Sequence, residues 1–237
     1  MSGSQPTDGT PPAADFARLR WLGRLRRHPS AILLLVQLGG LLLYPFIEEA
    51  PAGRMLFGAF SVLVLGLAIS MVRRTPGRAW ISACLAVPAV LLNALDVAYG
   101  WSALLPWSAA LEALFYFYAA GCLIAYMLAD RRATTDELFA AGATFTLLVW
   151  AFTYVLLLCQ ALQPGSFTAA VHPEAPRRWT ELLFLSFALF SSTGIGDVIP
   201  VTVHARSVAS LEMFTGVMYL ALVVSRLIGL TLTRRDD

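Results

Sequence analysis

The chain is a succession of long apolar stretches separated by short polar or charged segments. Five stretches have about the 20 residues that a helix needs to cross a bilayer core of ~30 Å. These stretches are Ser30 to Ile47, Met55 to Val72, Trp80 to Val97, Pro106 to Ala129 and Glu137 to Leu162. The pattern therefore predicts five membrane-spanning helices before residue 163.

The last two apolar stretches differ in length. Trp179 to Phe190 has only about a dozen residues, so a helix of this length must enter the bilayer and turn back. Val203 to Thr233 is long enough to cross. We therefore predict an all-α membrane protein with six transmembrane helices and a re-entrant short helix before the last of them.

Composition agrees with a membrane protein and excludes some other classes. Apolar residues make up 58% of the 237 residues and charged residues 14%, and the mean hydropathy is +0.69. These values lie outside the range of soluble domains. The length leaves no room for a separate soluble domain of ordinary size, and the net charge of +2 does not indicate a nucleic-acid partner.

The amino-terminal segment combines a polar tail with a basic region. Residues 1–15 are rich in Ser, Pro, Gly and Thr and are predicted to be disordered. From Phe16 to Arg27, arginines alternate with large apolar residues, which is typical of an interfacial helix on anionic lipids. The first apolar stretch leads to Glu48-Glu49-Ala50-Pro51 and not to a cleavage site, so we expect a retained helix and no signal peptide.

Arginine supplies every basic residue, and its distribution predicts the orientation. With the amino terminus inside, thirteen arginines are cytoplasmic and four are external, which is a clear positive-inside bias. Both termini are then cytoplasmic, and the segment after the short helix lies near the outer surface. The absence of lysine is typical of high-GC bacterial coding, so we expect a bacterial inner membrane.

The segment Ser191 to Pro200, with the sequence SSTGIGDVIP, joins the short apolar stretch to the last one. Glycine reaches positive φ without a steric clash, so its two glycines allow successive carbonyls to face one side. A ring of such carbonyls from several subunits can replace the hydration shell of a cation. The carboxyl end of the preceding helix, which carries partial negative charge, would also favour a cation. We therefore predict an ion pore lined by several chains.

This segment resembles the selectivity filter of tetrameric potassium channels, which usually reads Thr-Thr-Val-Gly-Tyr-Gly-Asp. The resemblance is specific over Trp179–Gly229, and over the first four helices it rests on topology alone, which is similar to that of six-helix bacterial members. It implies that Asp197 lies at the outer mouth and that Ser191 and Pro200 match further family positions. The implied ion-binding residues are Ser192, Thr193, Gly194, Ile195 and Gly196.

The last stretch also resembles the inner helix of these channels. Gly216 stands where many relatives carry a flexible glycine at which the helix bends. Leu220 and Val224, one and two turns further on, are candidate gate residues, and ordinary helix packing stays open as their alternative role. The resemblance implies a homotetramer in the bilayer that conducts K⁺ passively, with no cofactor, no catalytic residue and no metal site apart from K⁺ in the filter.

The organisation implied by the resemblance has three parts. Residues 1–29 form the tail and the basic interfacial helix, 30–130 a peripheral four-helix domain, and 131–237 the pore domain. A voltage sensor needs several arginines on its fourth helix, but Glu112 is the only charged residue between Pro106 and Ala129. We therefore expect a channel that is not voltage-gated. We also expect no carboxy-terminal ligand-binding domain.

Three departures from the family pattern affect the expected selectivity. Ile195 replaces the usual tyrosine, Phe184 replaces a Trp or Tyr that bonds to the filter acid, and Ala188 replaces a carboxylate found in some relatives. We expect a filter braced by apolar packing. A non-selective monovalent cation channel is therefore the alternative function.

Other classes and other polar residues complete the predictions. A secondary transporter ranks lower because the first half has no matching break, and an intramembrane serine protease ranks lower still because no G-x-S-x-G and no mid-span histidine occur. A structural membrane protein with an accidental turn ranks lowest, because it must explain the hydroxyls, glycines, acid and proline after a short helix together. Asn93, Asp96 and Glu112 suit hydration or hydrogen bonding near the interface better than an ion site. Glu212 suits an inter-helix bond that supports the short helix, and Arg226 suits snorkelling or the cytoplasmic mouth equally.

Overall fold

The computed structural model describes residues 29–48, 53–72, 79–100, 102–129 and 135–233, so the basic segment Phe16 to Arg27 lies outside the described residues. The described residues form seven α-helices, a short 3₁₀ helix (Ser102–Leu104) and two short strands. The α-helices are α1 (Pro29–Glu48), α2 (Gly53–Val72), α3 (Ala79–Tyr99), α4 (Leu105–Ala129), α5 (Thr135–Leu162), α6 (Trp179–Phe190) and α7 (Val203–Thr233). The strands are β1 (Phe167–Ala169) and β2 (Val198–Pro200).

The bounds of all seven helices agree with the predicted apolar stretches to within about two residues. Three helices of the described ranges are long and apolar enough to cross a membrane by length and composition: Leu105–Ala129, Thr135–Leu162 and Val203–Arg226. The apolar segments Pro29–Tyr44, Trp80–Asp96 and Trp179–Phe190 are shorter. The number of six membrane-spanning helices therefore stays a prediction.

Helix α5 is the centre of the structure because it packs against α1, α4, α6 and α7. Its contact with α4 is built from fully buried large side chains, including Tyr116, Leu123 and Leu147, with buried alanines between them. Small residues let two helices approach closely without loss of packing density. The helices of the peripheral part are thus attached to the second half of the chain through α5.

Polar contacts fix the relative directions of the helices. The hydroxyl of Ser30 donates to Asp136 Oδ2 at 2.9 Å, and Thr146 Oγ1 donates to Gln37 Oε1 at 2.7 Å. Since residue numbers increase together in both pairs, α1 and α5 run parallel. Helix α1 and helix α5 therefore begin at the same end of the molecule.

Helix α7 runs in the opposite direction to α5. Arg226 near the end of α7 pairs with Glu137 near the start of α5, at 3.2 Å. One turn deeper on α5, the carbonyl of Ala141 accepts a hydrogen bond of 2.6 Å from the Tyr219 hydroxyl. The start of α1, the start of α5 and the end of α7 thus share one end, which the arginine distribution predicts to be cytoplasmic.

Helix α6 begins beside the far end of α5. The side chain of Gln160 on α5 exchanges two hydrogen bonds with the backbone of Arg177, of 2.9 and 2.8 Å. From there α6 runs back along α5 to its middle, where the ring of Phe190 lies 5.0 Å from that of Phe145. A helix of 12 residues thus ends half-way along a helix of 28.

The chain then returns to the end from which α6 started. Strand β2 pairs with β1 in antiparallel fashion, with Thr168 opposite Ile199. Strand β1 follows α5 by only a few residues, so residues 191–197 lead back from the middle of α5 to its end. The short apolar stretch therefore turns back, as its length predicts.

Candidate functional site

We call residues 191–197 the filter loop, and its first turn is set by the way α6 ends. Ser191 is the C-cap of α6, and Ser192 follows with a positive φ of 58°. The N–H of Ser192 donates to the Leu189 carbonyl at 3.0 Å, and the N–H of Thr193 donates to the Ala188 carbonyl at 2.9 Å. These two bonds define a Schellman motif, which reverses the chain at a helix end.

The sequence analysis did not predict this motif. Its usual signal is a glycine in the left-handed position, because other residues pay ~1–2 kcal/mol for that conformation. Here Ser192 occupies the position. The strained residue is therefore one of those that the resemblance assigns to ion binding, and no local signal in the sequence identifies it.

The two glycines of the filter loop also have positive φ, +62° at Gly194 and +77° at Gly196. The N–H of Gly194 donates to the same Ala188 carbonyl as that of Thr193, at 3.1 Å. Two consecutive N–H groups of the loop thus point at the end of α6. Within the described part of the chain, no N–H or O–H group donates to a carbonyl of residues 192–196.

Every residue of the filter loop is exposed in the single chain. The five predicted ion-binding residues, Ser192 to Gly196, are consecutive exposed residues of this loop, and Asp197 follows them on the side of β2. The hydroxyl of Ser191 donates to the Phe187 carbonyl at 2.6 Å, and a further hydrogen bond joins the hydroxyls of Ser191 and Thr193. The end of the loop next to α6, which we call its inner end, is therefore held by α6 within the described part of the chain.

The expected apolar bracing is not made within one chain. Ile195 is 61% exposed, and Phe184 is exposed as well. Ala188, in contrast, is buried, and it holds the loop through its carbonyl group. Apolar bracing of Ile195 stays a prediction about a contact with another chain.

The outer end of the filter loop is anchored to the segment that follows α5. Phe167 of β1 and Val198 of β2 are buried in the same hydrophobic cluster. The N–H of Val201 donates to the Ser166 carbonyl at 2.9 Å, which continues the connection beyond β2. The loop is thus held by backbone hydrogen bonds at both of its ends.

Arg177 organises the segment between β1 and α6, a role that the sequence analysis missed. Its buried guanidinium donates to the carbonyls of Val171, His172 and Ala175 and lies 3.5 Å from Glu181. Because a single side chain collects three carbonyls, it fixes the turn that leads into α6. Only the i, i+4 spacing of Arg177 and Glu181 hints at this in the sequence.

Gly216 lies directly against the backbone at the end of α6. A Cβ atom built on Gly216 would be 2.0 Å from the Phe190 carbonyl oxygen and 2.7 Å from its carbon. Only glycine allows this approach. The bending of the helix at Gly216 stays a prediction, and close packing gives a second, independent reason for glycine here.

The candidate gate residues lie on the exposed face of α7. Leu220 is 39% exposed and Val224 52% exposed, and they share this face with Phe214 and Val217. Tyr219, on the opposite face, is buried against α5 and α6. The exposed face is apolar, so it requires lipid or other protein to cover it.

The intramembrane carboxyl groups are bonded between helices. Glu212 on α7 is fully buried and is hydrogen-bonded to Ser186 on α6, which agrees with the predicted inter-helix bond. Asn93 on α3 donates to Glu112 on α4, which agrees with the predicted hydrogen bonding, but Glu112 is fully buried. The carboxyl of Glu112 is enclosed between α3, which supplies Asn93, and α5, which supplies Tyr154.

The contact of Arg226 differs from both predicted roles. Its guanidinium pairs with Glu137 at 3.2 Å, and the Glu137 side chain is only 7% exposed. A buried carboxylate requires a partner, and this requirement directs Arg226 to α5 instead of toward lipid or the mouth. Among the described residues, no cluster of three His, Cys, Asp or Glu side chains suits a metal ion.

Comparison with known proteins agrees with this geometry. Residues 142–232 match a family model described as an ion channel. The matched range covers most of α5, all of α6, the filter loop and α7 nearly to its end. No curated protein and no solved structure matches the chain significantly. The second half of the chain is therefore similar to an ion-channel domain, which supports a relationship with tetrameric potassium-channel-like proteins.

Proposed function

We propose that four copies of this ion-channel domain surround one axis and conduct K⁺ passively through their filter loops, without voltage gating. The chain is then a potassium-selective channel of a bacterial inner membrane, with both termini in the cytoplasm. Its amino-terminal arginines bind anionic lipids of the inner leaflet. A secondary transporter remains the weaker alternative outside the channel class.

One observation carries this proposal: the carbonyls of residues 192–196 receive no hydrogen bond from the described part of their own chain. Unpaired backbone carbonyls need a partner such as water or an ion. The N–H groups of Thr193 and Gly194, in contrast, are used by the Ala188 carbonyl. Four such loops around an axis supply rings of oxygens that replace the hydration shell of K⁺.

The neighbouring elements suit the same function. The carboxyl end of α6 is the negative end of its dipole, and it lies half-way along α5, where it favours a cation below the filter loops. Leu220 and Val224 of the four chains then face a common path on the cytoplasmic side as candidate gate residues. K⁺ loses its water, passes between the carbonyl rings and is displaced by the next ion.

The test is the reversal potential of the purified protein in a planar bilayer, with K⁺ on one side and Na⁺ on the other. A reversal close to the K⁺ equilibrium potential is expected. A value near zero with clear current would replace potassium selectivity with non-selective conduction. Tetrameric protein that carries no current under any applied voltage would contradict the channel proposal.

The second candidate, a non-selective cation channel, is favoured by the 61% exposure of Ile195. A side chain that is mostly exposed on its own chain gives the filter loop less support than a tyrosine that can hydrogen-bond to a neighbour. If this support limits selectivity, Ile195→Tyr should raise the K⁺/Na⁺ permeability ratio by about tenfold, equivalent to ~1.4 kcal/mol. The measurement is the reversal potential of each variant under the same ion gradient.

The matched control for this substitution is Ile199→Tyr. Ile199 is also exposed, but it lies in β2 beyond the filter loop, so its replacement should leave the permeability ratio unchanged. Unchanged selectivity in Ile195→Tyr would show that the missing tyrosine does not weaken the filter.

A further inference from the structure

Two contacts one helical turn apart join α7 to α6 directly behind the filter loop. Glu212 of α7 meets Ser186 of α6, and four residues later in each helix Gly216 meets Phe190. The two helices therefore run side by side in the same direction at this point. Phe190 is the last residue of α6, so a change in this contact is passed directly to the filter loop.

The hydroxyl of Ser186 has two oxygen neighbours but only one hydrogen. It lies 2.8 Å from the carbonyl oxygen of Val149 on α5, which can only accept, and it is also hydrogen-bonded to Glu212 Oε1. Both contacts are satisfied when Ser186 donates to Val149 and the Glu212 carboxyl donates to Ser186. This arrangement requires a hydrogen on Glu212.

The surroundings of the carboxyl lead to the same result. Glu212 is 0% exposed, and its Oε2 atom has no hydrogen-bond partner. A buried carboxylate without a cation is strongly unfavourable compared with the neutral acid. Among the described residues, the polar contact that Glu212 makes is its hydrogen bond with Ser186. No charged group of these residues lies within ion-pair distance of the Glu212 carboxyl.

The titratable and charged groups of the packed elements lie elsewhere. On α6 the acidic group is Glu181, which pairs with Arg177 at the outer end, and Glu137 of α5 pairs with Arg226 at the opposite end. The remaining titratable groups on α5, in the filter loop and on α7 are Asp136, Tyr154, Cys159, Asp197, His204, Arg206 and Tyr219. Strand β2 has no titratable side chain.

We propose that Glu212 is a positioning residue that joins α7 to α6 as a protonated carboxylic acid, and that loss of its proton lowers conduction. This inference rests on the proposed channel function. Without its hydrogen, the carboxylate competes with Val149 for the single hydrogen of Ser186. The buried charge then favours separation of α7 from α6 and entry of water, and the end of α6 that holds the filter loop moves with it.

The first experiment measures K⁺ flux into liposomes over a series of pH values for three proteins. Wild-type flux should fall as the pH is raised. Glu212→Gln should conduct at every pH, because its amide group still donates to Ser186 and has no proton to lose. Glu174→Gln, an exposed carboxylate in the external segment before α6, is the matched control and should keep the wild-type profile.

Two results of the flux experiment would overturn the inference. One is a wild-type flux that does not change with pH while the channel is active. The other is a Glu212→Gln variant with the wild-type pH profile. Ser186→Ala serves as a second variant, since it removes the oxygen to which Glu212 donates and should reduce flux at every pH.

The second experiment does not depend on transport. Infrared difference spectra of purified wild-type protein and Glu212→Gln should show the C=O stretch of a protonated carboxyl that the variant lacks. Absence of this band would overturn the inference. Presence of the band in a protein without K⁺ flux at any pH would instead contradict the proposed channel function and leave the proton on Glu212 established.

Discussion

Gly216→Ala is expected to destabilise the folded chain strongly. The new methyl group would lie 2.0 Å from the Phe190 carbonyl oxygen, and a backbone atom at the end of a helix cannot turn aside as a side chain can. Overpacking typically lowers the free energy of unfolding by ~1–3 kcal/mol, and we expect a clash with backbone to lower it by ~3 kcal/mol or more. In thermal unfolding of the purified protein we expect a fall of roughly 6–12 °C or more.

Gly121→Ala is the control for this substitution. Gly121 lies in the middle of α4, and a Cβ atom there meets nothing within 4 Å. Alanine favours a helix over glycine by ~1 kcal/mol, so the unfolding temperature should not fall. If Gly216→Ala unfolds at the wild-type temperature and only its gating changes, close packing is not the reason for glycine, and the predicted bending at Gly216 becomes the better explanation.

Gly194→Ala is expected to abolish K⁺ conduction and leave the folded chain intact. Gly194 has a φ of +62°, a conformation that costs alanine ~1–2 kcal/mol, while the space around it is open within one chain. The filter loop should therefore relax to another conformation without disturbing α6 or α7. We expect a loss of K⁺ flux of more than tenfold in liposomes, with an unfolding temperature close to that of the wild type.

Gly165→Ala is the control that tests whether backbone strain stops conduction only when it lies in the filter loop. Gly165 has a φ of +79°, and a Cβ atom there also meets nothing within 4 Å, but it lies in the turn after α5 and outside the filter loop. Its replacement carries a similar conformational cost and should leave K⁺ flux at the wild-type level. Gly194→Ala protein with undiminished flux would show that the conformation of Gly194 is not required for conduction.

The extent of each helix was predictable because it depends on local properties of the chain. Apolar stretches of a given length, ended by charged or proline-rich segments, determine where α1 to α7 begin and end. The positive φ values of Gly194 and Gly196 in the filter loop were predictable for a similar reason, because glycine adopts this conformation without a steric clash. Such features require only a few neighbouring residues.

The contacts that hold the site together were less predictable because they join residues distant in the sequence. The pair of Glu137 and Arg226 spans 89 positions, and nothing in either segment indicates the other. The glycine at 216 suggested a bend, whereas its approach to Phe190 depends on how closely α7 packs on α6. The role of Ser192 depends on hydrogen bonds of the helix end, for which serine is not the usual signal.

The attachment of the filter loop at both ends by main-chain hydrogen bonds has a consequence for evolution. The carbonyl of Ala188 holds the inner end and the β1–β2 pair holds the outer end, and neither attachment uses the side chain of Thr193 or Ile195. The Thr193 hydroxyl bonds to that of Ser191, but both residues are exposed, so we expect mutations at these two positions to change the folding stability of a single chain little. Descendants of one ancestral scaffold can accumulate such changes and diverge in ion preference without first acquiring compensating mutations elsewhere.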